Sequence, residues 1–187
     1  ASNNNLGFQL NTANNNTLTN NSSPNNSGYG FYLESSSNDN TLTNNTASGN
    51  TWYGFYIRTS SSNNTLANNI SSGNSQRGFY IDSANNNKII NNLSSSNTGA
   101  NGYGFYISNA LNNYFAQNTA NLNSQYGFYL TGTSTSDTFE KNNKLINLKK
   151  TNMIKKMAYP YIKLKNEMYS LPRINNKHKE ITNELNN

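Results

Sequence analysis

The fold is decided by a segment that the chain copies almost letter for letter. Residues 29–50 read YGFYLESSSNDNTLTNNTASGN, and residues 53–74 read YGFYIRTSSSNNTLANNISSGN. The Gly-Phe pair of this segment occurs six times in the chain, at spacings of 23, 24, 24, 26 and 23 residues. The copies begin near Leu6, Tyr29, Tyr53, Arg77, Tyr103 and Tyr126. A fixed period of this length indicates a repeat architecture in which each copy forms one structural unit.

The contents of each copy indicate short strands. Phe31 and Leu33 alternate with Tyr32, so Phe31 and Leu33 share one face of a strand and Tyr32 takes the other. A second apolar peak lies at Leu18, Leu42, Leu66, Ile89, Phe115 and Phe139, and a weaker third peak at Thr46, Ile70, Leu93 and Thr119. Hairpins favour Asn-Gly turns, and the chain has one such pair, at Asn101. The pattern therefore predicts three strands per coil of a parallel β-helix.

The composition is unusually polar for a folded chain. The 187 residues include 44 Asn against 34 Leu, Ile and Phe, and only 12% of residues are charged. So few large apolar side chains normally indicate disorder. In a solenoid, however, the Phe residues of successive copies form one inward column. The predicted side-chain amide ladder comprises Asn21, Asn45, Asn69, Asn92 and Asn118.

The repeat YGFYL…NNTLTNN…SGN resembles those of the NosD and CASH group, within the pectin-lyase-like superfamily. The resemblance covers roughly residues 6–147 and implies an all-β fold, a right-handed single-stranded parallel β-helix of about six coils. The superfamily includes polysaccharide lyases, glycoside hydrolases, carbohydrate-binding surface proteins and the copper-associated periplasmic NosD protein. The resemblance implies an extracellular or cell-envelope location. The first residue, Ala1, indicates a processed chain or a fragment, and no signal peptide is visible.

The charge distribution divides the chain into repeats over 1–147 and a basic C-terminal segment over 148–187. Residues 1–139 hold three basic and four acidic residues, whereas residues 140–187 hold eleven and four. Because the open end of a solenoid exposes core and strand edges, we expect the segment to be a cap. A disordered basic extension and a sequence unrelated to function remain alternatives. The segment has no recognisable nucleic-acid motif, so nucleic acid is not predicted as a partner.

The outward residues of the first strand carry the binding prediction. Because Phe and Leu point inward, five tyrosines are expected to form an exposed row suited to stacking against sugar rings: Tyr32, Tyr56, Tyr80, Tyr106 and Tyr129. The alternatives are that the row only stabilises the sheet by cross-strand pairing, or packs beneath another part of a larger protein. We predict a non-catalytic secreted or cell-surface module whose partner is a polysaccharide or cell-envelope glycan. A structural spacer is the alternative.

A polysaccharide-degrading enzyme on the same scaffold is a further alternative. Glu34, Arg58 and Asp82 follow the first strand on adjacent coils, which puts the two carboxylates about 9–10 Å apart. That distance is at the upper edge of the ~6.5–9.5 Å separation in inverting glycosidases. An arginine between them would keep both ionised, whereas a general acid needs a raised pKa. We therefore expect a surface ion-pair ladder rather than a catalytic pair.

No metal site or cofactor is predicted. The chain has no Cys, and its one His, His178, lies in the C-terminal segment with the three Met. A copper site needs a convergent set of such ligands, so the copper association of NosD is not carried over. No run of apolar residues is long enough for a transmembrane helix.

Overall fold

The computed structural model describes residues 1–144. Within these residues the chain forms β-strands and no helix. Three parallel sheets contain six strands each. Consecutive strands lie in different sheets, and each strand pairs with the one three positions later in the chain. The chain therefore winds as a β-helix of six coils, which confirms the predicted fold. The predicted C-terminal segment, 148–187, lies outside the described residues.

Each sheet collects the equivalent strand of every coil. The first sheet contains β1 (Phe8–Asn11), β4 (Phe31–Glu34), β7 (Phe55–Arg58), β10 (Phe79–Asp82), β13 (Phe105–Ser108) and β16 (Phe128–Thr131). The second contains β2 (Thr17–Thr19), β5 (Thr41–Thr43), β8 (Thr65–Ala67), β11 (Lys88–Ile90), β14 (Tyr114–Ala116) and β17 (Thr138–Glu140). The third contains β3 (Ser22–Pro24), β6 (Thr46–Ser48), β9 (Ile70–Ser72), β12 (Leu93–Ser95), β15 (Thr119–Asn121) and β18 (Asn143–Lys144).

The apolar core consists of stacked columns along the solenoid axis. In the first sheet Phe31, Phe55 and Phe79 are in register and fully buried. Neighbouring rings of this column lie 4.8 and 4.7 Å apart with interplanar angles of 5° and 4°. This spacing is that of adjacent strands, so the backbone register itself produces the ring stacking. The predicted Phe column is confirmed, and Leu33, Ile57 and Leu42 belong to parallel buried columns.

The third sheet has small residues on its inward face and the residues of the third apolar peak on its outward face. Its strands lie where the weak third apolar peak predicts them, but the peak residues face outwards, and Ile70 is 40% exposed. The inward residues are small: Ser23, Ala47, Ser71, Ser94 and Ala120. Their size follows from the close approach of the glycine before each first-sheet strand. A Cβ atom on Gly30 would lie 2.7 Å from the Cβ of Ala47, so neither position has room for a larger residue.

Asparagine ladders satisfy the polar interior. In the predicted ladder, Asn45 Nδ2 donates to Asn69 Oδ1 at 3.1 Å and Asn69 Nδ2 to Asn92 Oδ1 at 3.0 Å. Asn69 Nδ2 also donates to the Leu42 carbonyl of the preceding coil, 2.9 Å away. Two further ladders, which the sequence analysis did not include, run through Asn16, Asn40, Asn64, Asn87, Asn113 and Asp137, and through Asn26, Asn50, Asn74, Asn97 and Asn123. The high Asn content is thus largely structural.

A second role for Asn explains the Asn-Asn pairs. Asn44 precedes the ladder residue Asn45 and has a φ of 56°, and Asn68 precedes Asn69 with a φ of 57°. This left-handed conformation is costly for most L-residues and is tolerated best by Gly, Asn and Asp. The first residue of each pair therefore turns the corner of the coil, and the second bonds to its copies.

Candidate functional site

The outer face of the first sheet carries two parallel rows of mostly aromatic side chains. The strand row is the second residue of each strand: Gln9, Tyr32, Tyr56, Tyr80, Tyr106 and Tyr129. The flanking row is the residue two positions before each strand: Leu6, Tyr29, Tyr53, Arg77, Tyr103 and Tyr126. Because the register repeats in every coil, a substitution in one coil changes this face at one place only.

The rings of the strand row stack on one another rather than facing solvent. The ring centroids of Tyr32 and Tyr56 are 5.3 Å apart, and those of Tyr56 and Tyr80 are 4.7 Å apart with an interplanar angle of 4°. Tyr29 of the flanking row packs edge-on against Tyr56 at 5.1 Å. Tyr32 and Tyr56 are consequently only 6% exposed. The expectation of an exposed row is wrong for these two residues, because neighbouring rings cover their faces.

The other three predicted tyrosines, Tyr80, Tyr106 and Tyr129, are half-buried. The stack is interrupted between Tyr80 and Tyr106, whose rings meet at 86°. The guanidinium carbon of Arg77 lies there, 4.4 Å from the centroid of Tyr80 and 4.1 Å from that of Tyr106. Arg77 takes the place of a flanking tyrosine and donates from Nη1 to the hydroxyl of Tyr53 at 2.6 Å. This face of the sheet therefore already binds one cation by its tyrosine rings.

Packing changes the acidity of the tyrosines. Burial, followed by the hydrogen bond to Glu34, raises the pKa of Tyr32 to about 12. Burial, followed by the charge of Asp82, raises the pKa of Tyr80 to about 12, and the same two causes raise the pKa of Tyr56. These phenols stay protonated at neutral pH. They are hydrogen-bond donors and apolar surface rather than bases.

The two candidate acids are held by separate hydrogen bonds. Glu34 accepts hydrogen bonds from Gln9 Nε2 at 2.7 Å and from the Tyr32 hydroxyl at 2.6 Å. Asp82, two coils away, accepts from the Tyr56 hydroxyl at 3.3 Å. Arg58 donates to the hydroxyls of Tyr32 and Thr59, at 3.4 and 2.9 Å, rather than to either carboxylate. The expected ion-pair ladder is thus replaced by separate hydrogen bonds from tyrosine hydroxyls to the two carboxylates.

Both rows lack tyrosine in the first coil, and a groove lies beside this end of the rows. Leu6 and Gln9 occupy the row positions there, and the groove that they leave encloses about 370 Å³ and is open to solvent. Small-molecule sites typically enclose ~300–1,000 Å³. The groove is also lined by Tyr29, Tyr32, Glu34 and Trp52.

Trp52 provides the exposed aromatic surface of this groove. Its backbone N–H donates to the Gly28 carbonyl of the preceding coil at 3.1 Å, which fixes the residue beside that coil. Gly28 has no side chain to fill the groove. The indole meets the Tyr29 ring at 5.4 Å and 68°, and it remains 45% exposed. The backbone of Trp52 is thus held in register with the preceding coil, while its indole packs beside Tyr29 and is open to solvent.

The groove brings together only part of what the sequence indicated. Of the predicted residues it contains Tyr32 and Glu34, while the other tyrosines and Asp82 lie further along the solenoid. Sequence reasoning missed Gln9, Tyr29 and Trp52. A signal was present, because the first copy reads LGFQL where the others read YGFYL or a close variant, and such a departure leaves a gap in a stacked row.

Neither a metal site nor a membrane-spanning helix is found within residues 1–144. No group of three or more His, Cys, Asp and Glu side chains in this part is placed to hold a metal ion. None of the described residues forms a helix long and apolar enough to cross a membrane.

Three parallel sheets wound in coils around stacked Phe and Asn columns define the class of parallel β-helix proteins. A model of the right handed beta helix region matches residues 1–147, so the chain belongs to that family and its coils are right-handed. Membership of the NosD subgroup remains a prediction. A comparison with curated proteins gives no match.

Two solved structures share the fold. A mutant of the periplasmic alginate epimerase AlgG superposes with a TM-score of 0.70 at 20% identity, over 76% of this chain and 33% of that one. The A-module of the mannuronan C-5 epimerase AlgE4 from Azotobacter vinelandii gives 0.58 at 21% identity, over 74% and 50%. The chain thus spans a third to a half of the length of these proteins. Identities this low show the fold alone, since one scaffold hosts many functions.

Proposed function

We propose that the chain is a carbohydrate-binding β-helix module of the cell envelope or the extracellular space, and that the groove beside Trp52 holds the saccharide. The observation that carries the proposal is the groove itself. It lies where two stacked tyrosine rows end, and it combines aromatic surface with polar groups on one face.

The chemistry of the lining suits a sugar. The exposed indole of Trp52 and the ring of Tyr29 present apolar surface against which the C–H face of a pyranose packs. Gln9 and Glu34 stand beside them with an amide and a carboxylate that bond to ring hydroxyls. Aromatic walls with a few fixed polar groups are typical of small-molecule sites.

The similar structures support the same class of partner. Both are of epimerases, one named for alginate and one for mannuronan, and one is described as periplasmic. A polysaccharide ligand and an envelope location are therefore proposed for this chain as well.

A polysaccharide-modifying enzyme on the same scaffold is the second candidate, and those epimerases are what favours it. Glu34 and Asp82 would then act separately rather than as a pair, because each is bonded to its own tyrosine. Turnover of a polysaccharide that is lost in both Glu34→Gln and Asp82→Asn would establish the enzyme. Binding without turnover supports the module.

The binding test uses a pair of exposed apolar residues. Trp52→Ala truncates the groove, whereas Ile70→Ala truncates an exposed side chain on the third sheet. We expect retardation in polysaccharide-containing gels, or calorimetric binding, to weaken at least about tenfold in Trp52→Ala, a loss of ~1.4 kcal/mol. The Ile70→Ala variant should bind like wild type. Equal binding by both variants would refute the groove as the site.

A further inference from the structure

We infer that the groove selects saccharides that carry a free amino group. This inference rests on the proposed function and adds the chemical class of the ligand. It follows from the charge in the groove and from the way the same protein face binds a cation elsewhere.

Glu34 is the one charged side chain among the residues that line the groove. Its two carboxylate oxygens each accept one hydrogen bond, Oε1 from Gln9 and Oε2 from Tyr32. A carboxylate offers about four lone-pair positions, so about two remain for a ligand. An ammonium group donates three hydrogen bonds and cannot accept any, which makes it the complementary partner.

Arg58, which contacts Tyr32, does not bond to the Glu34 carboxylate. It donates to Tyr32 and Thr59, and its guanidinium carbon lies 5.7 Å from the centroid of Tyr56, on the side of the next coils. Among the residues that line the groove, the Glu34 carboxylate therefore stands beside aromatic surface, with the Arg58 guanidinium bonded to the Tyr32 hydroxyl rather than to the carboxylate.

The aromatic part of the groove is also suited to a cation. Three coils along, the Arg77 guanidinium lies within 4.1–5.9 Å of the centroids of four tyrosines, Tyr53, Tyr80, Tyr103 and Tyr106. In the first coil, Leu6 occupies the row position that Arg77 has there. The neighbouring rings are those of Tyr29 and Trp52, and Trp is the strongest cation–π partner. Beside the first coil the groove thus has no arginine among its lining residues, and the second coil provides aromatic surface and a carboxylate.

The same arrangement disfavours an acidic sugar. The Glu34 carboxylate lines the groove and would repel a second negative charge placed beside it. A uronate in the groove would bring such a charge. We therefore expect this groove to take a ligand of different charge from the alginate and mannuronan for which the two similar structures are named.

The test compares tetrasaccharides of different charge, of which the glucosamine, N-acetylglucosamine and glucose tetramers share one backbone. Binding of the β-1,4-linked glucosamine tetramer, its N-acetylated form, cellotetraose and a mannuronate tetramer is measured by calorimetry at a pH where the sugar amines are protonated. We expect the glucosamine tetramer to bind at least about tenfold more tightly than the two neutral tetramers, and the mannuronate tetramer to bind most weakly. In Glu34→Gln, the preference for the amine should fall towards unity.

The control variant is Asp39→Asn, which removes an exposed acid at a coil corner outside the groove and should keep the preference. Equal or tighter binding of the neutral or acidic tetramers overturns the amino-sugar inference and leaves the proposed function standing. A preference that persists in Glu34→Gln overturns it as well. Failure of every saccharide to bind refutes the proposed function itself.

Discussion

Replacing Asp137 with asparagine should stabilise the protein, and only above about pH 4. Asp137 is the last described residue of an asparagine ladder, and its Oδ1 accepts hydrogen bonds from Asn113 N at 2.7 Å and Nδ2 at 3.2 Å. Its Oδ2 is buried without a partner among the described residues. At the equivalent position Asn113 Nδ2 donates to the Ala84 carbonyl, and the same register brings Asp137 to that of Ala110. A carboxylate cannot donate there, but a protonated carboxyl or an amide can.

The magnitude follows from the pKa. Burial raises the pKa of Asp137 from 3.8 to about 6, although the Asn113 hydrogen bonds oppose the change. The native state then binds the proton more tightly than the unfolded chain, so the free energy of unfolding falls between about pH 4 and 6 and is level above that. Full conversion at ~1.4 kcal/mol per pKa unit gives roughly 3 kcal/mol. Because the side chain is only half-buried, we expect a loss of about 1–2 kcal/mol.

The assay is urea denaturation of wild type, Asp137→Asn and the control Asp39→Asn at pH 4, 5, 6, 7 and 8. Asp137→Asn should match wild type near pH 4 and exceed it by about 1–2 kcal/mol at pH 7. Asp39 is exposed, so its variant should show no such divergence. A constant difference between Asp137→Asn and wild type across the pH range, or a stability advantage at pH 4 only, would refute the reasoning.

Five further substitutions, at four positions, test the interior and the tyrosine face by thermal and urea unfolding. Asn69→Ala removes four ladder hydrogen bonds and leaves buried partners unpaired, so a loss of ~2–4 kcal/mol is expected, and a loss below ~1 would contradict the ladder. Gly30→Ala places a Cβ 2.7 Å from two neighbouring atoms and should destabilise by more than ~2 kcal/mol. Gly73→Asn, at a corner with a φ of 64° and open space, should leave stability nearly unchanged. Similar losses in Gly30→Ala and Gly73→Asn would contradict the close packing around Gly30. Arg77→Tyr continues the flanking row and removes a buried Nε that has no partner in the described region. It should leave the free energy of unfolding unchanged or raise it, whereas Arg77→Ala should lower it.

The periodic features of the protein could be predicted from its sequence. Strand positions, the Phe column and the ladder through Asn69 follow from the repeat, because each coil places equivalent residues in one register. The burial of Tyr32 and Tyr56 could not be predicted, since it depends on how the flanking rings tilt across the strand row. The repeat pattern also does not predict sites at which one copy departs from the others.

The groove and Asp137 both lie where a copy departs from the repeat. In the sequence, Leu6 and Gln9 resemble random divergence of the first copy. In the structure they line the groove that Trp52 borders. Whether a missing tyrosine leaves a gap or is filled by a neighbour depends on side-chain packing, which one sequence does not contain. Likewise, the Oδ2 of Asp137 has no partner within residues 1–144, and this follows from the hydrogen bonds of its ladder rather than from the sequence pattern.

The groove can be tested through its own fluorophore. The chain contains a single Trp, Trp52, so its emission reports on this site without interference from another indole. Titration with the glucosamine tetramer should give a saturable change in Trp52 emission whose midpoint agrees with the calorimetric affinity and shifts to higher concentration in Glu34→Gln. Calorimetric binding with unchanged Trp52 emission would place the saccharide elsewhere, and no binding of any saccharide would contradict a carbohydrate-binding role.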